Sequence, residues 1–101
     1  MTHAYILECS DGSYYVGSTV DLERRVSQHN SPLEGAAYTR RRRPVRLVWH
    51  ADFVDVAEAY AFEKRVQGWG RGKRQALIRG DLDEVVALAK RRGGRPRPSA
   101  G

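Results

Sequence analysis

The chain has 101 residues and a formal net charge of +6, enough for one domain with a tail, and a chain this short buries only about 60–65% of the surface its unfolded form exposes. No apolar run approaches the roughly 18–20 residues of a membrane span, no basic-then-apolar leader opens the sequence, and the lone Cys9 has no internal disulfide partner, so a cytoplasmic, reducing setting is expected. A pI near 10.0 attracts polyanions and says nothing about fold.

The first elements lie in AYILECSDGSYYVGSTVDLERRVSQHN, Ala4 to Asn30. An apolar run, Ala4 to Leu7, breaks at Ser10-Asp11-Gly12, and Tyr14-Tyr15-Val16 follows. β-Branched and aromatic residues flanking Asp-Gly predict a hairpin. Two loops are open. A two-residue Asp11-Gly12 loop pairs Tyr15 with Glu8 and sends Tyr5 and Tyr15 to opposite faces. A three-residue loop with Gly12 in the left-handed conformation sets Tyr15 opposite Leu7, and the two tyrosines share a face. The first helix is expected over Asp21 to about Gln28, entered through Ser18-Thr19. Leu22 and Val26 face the core, and Asp21, Arg25 and His29 form a row spaced by four.

Asn30-Ser31-Pro32 stops that helix, and Leu33 to Tyr38 reads as a loop. Tyr38 to Pro44 carries Arg40, Arg41, Arg42 and Arg43, either a solvated loop or a phosphate-binding rim. Val45, Leu47 and Trp49 alternate as one face of a strand ending at Phe53, which completes a three-stranded sheet. Asp55 to Glu58 opens a helix reaching about Trp69, with Ala59, Phe62, Val66 and Trp69 as its apolar stripe. A short basic helix, Lys73 to Arg79, is anchored by Ala76, Leu77 and Ile78. Asp81 to Glu84 opens a last helix with Leu82, Val85, Val86, Leu88 and Ala89. The expected architecture is α/β of the α+β kind, a small three-stranded antiparallel sheet flanked by three to four helices. It comprises a domain over residues 1–92 and a disordered basic tail over 93–101, whose Arg95 and Arg97 hold DNA loosely.

Tyr5, ten residues before Tyr15-Val16-Gly17, with Arg25 and His29 a turn apart and then Tyr38-Thr39-Arg40 and Glu58 to Ile78, resembles the GIY-YIG nuclease superfamily. The likeness is closest to its small stand-alone bacterial members and covers roughly residues 3 to 80. His3-Ala4-Tyr5 stands where Gly-Ile-Tyr would, and Ser18-Thr19-Val20 lacks a lysine that many relatives carry, leaving Arg25 more to do.

The resemblance implies a catalytic set of Tyr5, Tyr15, Arg25, His29 and Glu63. Tyr15 is the base, helped toward phenolate by a cation, since a free tyrosine titrates near 10. Arg25 clamps the transition-state oxygens, His29 hydrogen-bonds a tyrosine or phosphate, and Tyr5 positions the water or phosphate. Glu63 holds a single Mg²⁺ or Mn²⁺ that keeps most of its waters.

Taken singly, the tyrosines read as sheet packing, Arg25 as a surface residue bridging Asp21, His29 as a helix-end residue, Glu63 as a surface glutamate and Cys9 as core filler. The prior belongs to the set. The implied activity is a DNA endonuclease in repair or recombination, directed at branched, damaged or single-stranded forms with low sequence specificity. A protein partner can supply the grip. Arg40 to Arg43, Lys73 and Arg74 are the expected nucleic-acid contacts. The competing reading is a nucleic-acid-binding module of the same fold with little catalysis.

Overall fold

The computed structural model describes residues 1–81 and 83–86. It comprises two compact units, Met1–Gln67 and Gly68–Gly101. The first holds strands β1 (Thr2–Glu8), β2 (Tyr14–Thr19) and β3 (Arg46–Phe53), with helices α1 (Leu22–His29), α2 (Ala37–Arg40) and α3 (Val56–Gln67). The sheet is three-stranded and antiparallel, as expected from sequence, with the strand order β2-β1-β3.

The central strand is β1 because its run is apolar on both faces. Ala4, Tyr5, Ile6 and Leu7 are each at most 1% exposed, the continuous pattern of a strand covered on both sides. Tyr5, Leu7, Cys9 and Val45 form one core cluster, joined by Tyr15, Leu22, Val26 and Leu47. Helix α3 packs on β1 and β2 with Ala59 and Val66 buried, and its Phe62 stacks on Trp49, the cross-strand partner of Ile6.

The hairpin takes the three-residue loop. Cys9 N–H donates to Ser13 O at 2.8 Å and Gly12 N–H to Cys9 O at 2.9 Å. Gly12 has φ +85°, which glycine adopts without the Cβ clash of other residues. Leu7 therefore faces Tyr15 and Glu8 faces Tyr14.

Three readings needed correction. Leu47 and Trp49 do not share a face. Ile6 pairs with Trp49 and Leu7 with Leu47, so Val48 is an extra residue. A bulge of this kind reverses the alternation on either side of it, sending Leu47 into the core cluster and Trp49 to Phe62. The stretch read as loop contains the helical turn α2. The helix expected to reach Trp69 ends at Gln67.

Local chemistry sets the other boundaries. Asp21 caps α1 by accepting the Arg24 N–H at 3.1 Å. Asn30 stops it and ties its exit to β3, accepting the Val45 N–H at 2.8 Å and donating to the Val45 carbonyl at 3.0 Å. At the β1–β3 edge His3 Nδ1 lies 2.6 Å from Asp52 Oδ1, and this bond above all holds the Asp52 carboxyl below the usual carboxylate range.

The second unit holds α4 (Arg71–Arg79). It closes in a Schellman pattern at Gly80 (φ 76°), with Gly80 N–H on Leu77 O and Asp81 N–H on Ala76 O at 2.9 Å. Lys73 Nζ lies 4.2 Å above the Trp69 ring. Residues 83–86 are helical, and Asp81 accepts the Glu84 N–H at 3.1 Å. Leu82, the rest of that helix and the expected tail with Arg95 and Arg97 lie outside the described residues. Among the described residues no helix is long and apolar enough to cross a membrane.

Candidate active site

The register that sets Tyr15 opposite Leu7 puts Tyr5, two residues earlier on β1, on the same face as Tyr15. Their ring centroids are 6.5 Å apart. His29, at the end of α1, packs against both, 6.0 Å from Tyr5 and 4.9 Å from Tyr15. Tyr38 of α2 stacks on Tyr15 at 6.0 Å, and the Arg42 guanidinium covers the Tyr38 ring at 4.0 Å.

A chain of hydrogen bonds fixes the protons. The Thr39 hydroxyl donates to the Ala36 carbonyl at 3.1 Å. Its oxygen is 2.9 Å from His29 Nδ1, so Nδ1 carries the proton and donates. Nε2 is left with a lone pair, 2.9 Å from the Tyr5 hydroxyl, and Tyr5 donates to it. His29 and Thr39 are fully buried and Tyr5 is 1% exposed.

Burial and the nearby Arg25 charge push His29 down to about 4. Burial pushes the Tyr5 phenol up to about 12, against a partial pull from Arg25. Both groups are therefore neutral near pH 7.

That neutrality makes stability depend on pH. The unfolded imidazole takes up a proton near 6.5, whereas the folded one resists to about 4. Its contribution is fully present above pH 6.5 and is lost as pH falls toward 4, on the order of 2 kcal/mol by pH 5. Thermal melts should show the midpoint falling by roughly 10 °C between pH 7 and pH 5. A flat midpoint over that window would contradict a buried neutral His29.

Arg25 does not bridge Asp21. Its Nη1 donates to Gln28 Oε1 at 2.9 Å, and it is half-buried. Glu63 stands on α3, which packs on the other face of the sheet, and makes no hydrogen bond to either tyrosine. Its 8%-exposed carboxylate accepts the Ser18 hydroxyl at 2.7 Å and the Gln67 amide at 2.8 Å. Gln67 also donates to the Val16 carbonyl at 3.1 Å. Gly17, beside Ser18 on edge strand β2, is where the two faces meet. A Cβ there would lie 2.6 Å from the Tyr5 hydroxyl, while Glu63 holds Ser18 from the other side, and its charge adds to the upward push on Tyr5.

The donor set around Glu63 fits a divalent cation. Both hydrogen-bond donors are neutral, and the nearest ammonium, Lys64 Nζ, is 3.9 Å away. Lys64 at that distance compensates the carboxylate's charge only in part, and each oxygen keeps a lone pair.

The arginine run divides. Arg42 Nε donates to Asp11 at 3.0 Å and its Nη1 to the Tyr38 carbonyl at 2.8 Å, and Arg43 Nε donates to the Arg40 carbonyl at 2.9 Å. Arg40 and Arg41 are exposed and their side chains have no polar partner among the described residues. Lys73 and Arg74 belong to α4 in the second unit.

Sequence reasoning did not single out Thr39, Ser18, Gln67 and Gly17 for the site. Gln67, four residues after Glu63 on a helix, carried a usable signal. Thr39 gave none beyond its place in the Tyr38-Thr39-Arg40 run.

Residues 1–75 match the family model described as the GIY-YIG catalytic domain. The chain is 46% identical to a UPF0213 protein of Halobacterium salinarum over 78 residues, 77% of this chain and 100% of the relative. It is 47% identical to one of Bacillus pumilus, covering 73% of this chain and 74% of that one. The solution NMR structure of a UPF0213 protein from Bacillus halodurans aligns with a TM-score of 0.50 at 44% identity, over 77% of this chain and 83% of that chain.

Proposed function

We propose, from the premise that the chain belongs to the GIY-YIG catalytic-domain family, that it is a metal-dependent endonuclease hydrolysing phosphodiester bonds in DNA. The observation that carries this is the packed cluster of Tyr5, Tyr15 and His29, whose protons are set by the Tyr5–His29–Thr39 chain.

The roles follow from exposure and hydrogen bonding. Tyr15 is partly exposed whereas Tyr5 and His29 are buried, so it is the member of the cluster open to water and substrate. As phenolate it takes the proton of the attacking water while the new P–O bond forms and the bond to the leaving oxygen breaks. Tyr5, committed as a donor to His29, stays protonated and holds the geometry. Arg25 binds the phosphoryl oxygens as charge grows on them. Glu63 would hold a divalent ion, Mg²⁺ or Mn²⁺, which would supply Lewis-acid stabilisation of the departing oxygen. The reading includes low sequence specificity and a repair or recombination substrate such as branched or single-stranded DNA. A protein partner would add selection, and the setting is cytoplasmic.

The test is cleavage of duplex, flap, junction and single-stranded DNA and of RNA with each metal. Wild-type protein should nick DNA only with Mg²⁺ or Mn²⁺. Tyr15→Phe should slow cleavage by about 10²–10⁴-fold with binding changed less than about twofold. Equal trace cleavage by both proteins would mark a contaminant and leave a binding module of the same fold.

The rim has its own measurement. Arg40→Ala with Arg41→Ala should weaken DNA binding and flatten the salt dependence by up to about one unit of slope per lost phosphate contact. An unchanged slope would return both side chains to solvent. Arg42 and Arg43 contribute too in this reading, but their truncation also removes contacts within the loop, so they are poorer probes.

A further inference from the structure

A second group of metal-ligating side chains lies away from Glu63. His3 of β1 faces Asp52 of β3 in the register, and His50 lies two residues before Asp52 on the same face. Strand pairing alone therefore brings two imidazoles and a carboxylate together. His3 Nδ1 is 2.6 Å and His50 Nδ1 3.3 Å from the same oxygen, Asp52 Oδ1. The rings meet edge to face at 6.2 Å, and one donor atom from each residue lies within 4.8 Å of the other two.

From these positions we propose a surface site for a divalent transition metal of the zinc type, ligated by His3, His50 and Asp52.

The distances suit such an ion. Bonds of about 2.0–2.2 Å at tetrahedral angles set ligand atoms roughly 3.3–3.6 Å apart. The His50–Asp52 separation of 3.3 Å already matches that edge. The 2.6 Å His3–Asp52 pair must open and the two imidazole nitrogens, within 4.8 Å of each other, must adjust, each by shifts on the order of 1 Å. The side chains, 21%, 45% and 46% exposed for His3, His50 and Asp52, have room for them. To ligate, each imidazole would turn its Nδ1 lone pair to the ion and carry its proton on Nε2. Two imidazoles and one carboxylate favour zinc, cobalt or nickel over magnesium, which prefers an all-oxygen shell. Three protein ligands leave coordination positions for water or an anionic group. The ion would also clip edge strand β3 to β1 beside Tyr5, the cross-strand partner of His50. This reading is independent of the nuclease proposal.

Co²⁺ is the probe, titrated into the untagged full chain. In millimolar Mg²⁺, which competes for the oxygen ligand Glu63, one equivalent should still bind with visible d–d absorption. His3→Ala, His50→Ala and Asp52→Asn should each weaken binding at least about tenfold, whereas Glu23→Gln, at an exposed carboxylate outside both sites, should leave it unchanged. The variants should melt like wild type without metal, because all three side chains reach the surface, and only wild type and Glu23→Gln should gain stability with Zn²⁺. Absence of stoichiometric uptake would overturn the site and leave a hydrogen-bonded clip. So would uptake indifferent to the histidine changes, uptake lost with Glu23→Gln, or a thiolate-to-cobalt band pointing to Cys9.

Discussion

Glu63→Gln is expected to reduce metal-dependent cleavage at least about 10³-fold while leaving the fold and DNA affinity nearly intact. The substitution keeps the shape of a side chain that is 8% exposed and removes its charge. Ser18 can still donate to the new carbonyl oxygen. The new amide NH₂ faces the Gln67 amide, 2.8 Å away, and the two donors conflict unless one amide turns over. That adjustment should cost on the order of 1 kcal/mol, far too little to unfold the domain. Losing the one carboxylate expected to hold the ion removes charge stabilisation worth several kcal/mol at the leaving oxygen. Single-turnover cleavage beside a melting curve separates these effects. Full activity in a well-folded Glu63→Gln protein would remove Glu63 from the site.

Gly17→Ala is expected to damage stability and activity together. Its Cβ would lie 2.6 Å from the Tyr5 hydroxyl oxygen, 2.8 Å from Tyr5 Cζ and 3.2 Å from Tyr15 Cε2. The first two separations are shorter than any Cβ contact can be, so the Tyr5 ring must move. Tyr5 is 1% exposed and bonded to His29 at 2.9 Å, so it has little space to move into. Overpacking costs about 1–3 kcal/mol, and a buried His29 Nε2 left without its donor adds about as much. A midpoint drop of at least roughly 10 °C follows for a domain this small. Gly72→Ala is the control. It lies inside α4 with nothing within 4 Å of a new Cβ, so it should be neutral or stabilising by up to about 1 kcal/mol. Equal melting of Gly17→Ala and wild type would mean that the tyrosine does not depend on the gap.

What the sequence showed depended on how local each feature was. The hairpin was legible because Asp-Gly chemistry is local, and only the choice between two registers needed the φ of Gly12. The capped helices were legible for the same reason. Tyr5, Tyr15 and His29 were named from spacing and resemblance, and they do meet in space. The bulge at Val48 was not legible, since two pairings of β3 against β1 create it and no residue of β3 signals it. Nor was the role of Thr39, whose burial under His29 depends on a helical turn with no side-chain cap. Glu63 was expected near the apolar stripe, but its neutral partners Ser18 and Gln67 join it only when α3 lies across β2. Arg42 read as a rim charge because its bond to Asp11 spans thirty-one positions.

The central claim is that Tyr15 and Glu63, from opposite faces of one edge strand, serve one chemical step. Single-turnover DNA cleavage by wild type, Tyr15→Phe, Glu63→Gln and the double variant measures this, because groups acting as a unit are non-additive. The double variant should be no slower than the slower single variant, within about threefold. A double variant slower by the product of the two single losses, or the same trace rate in all four proteins, would contradict the claim.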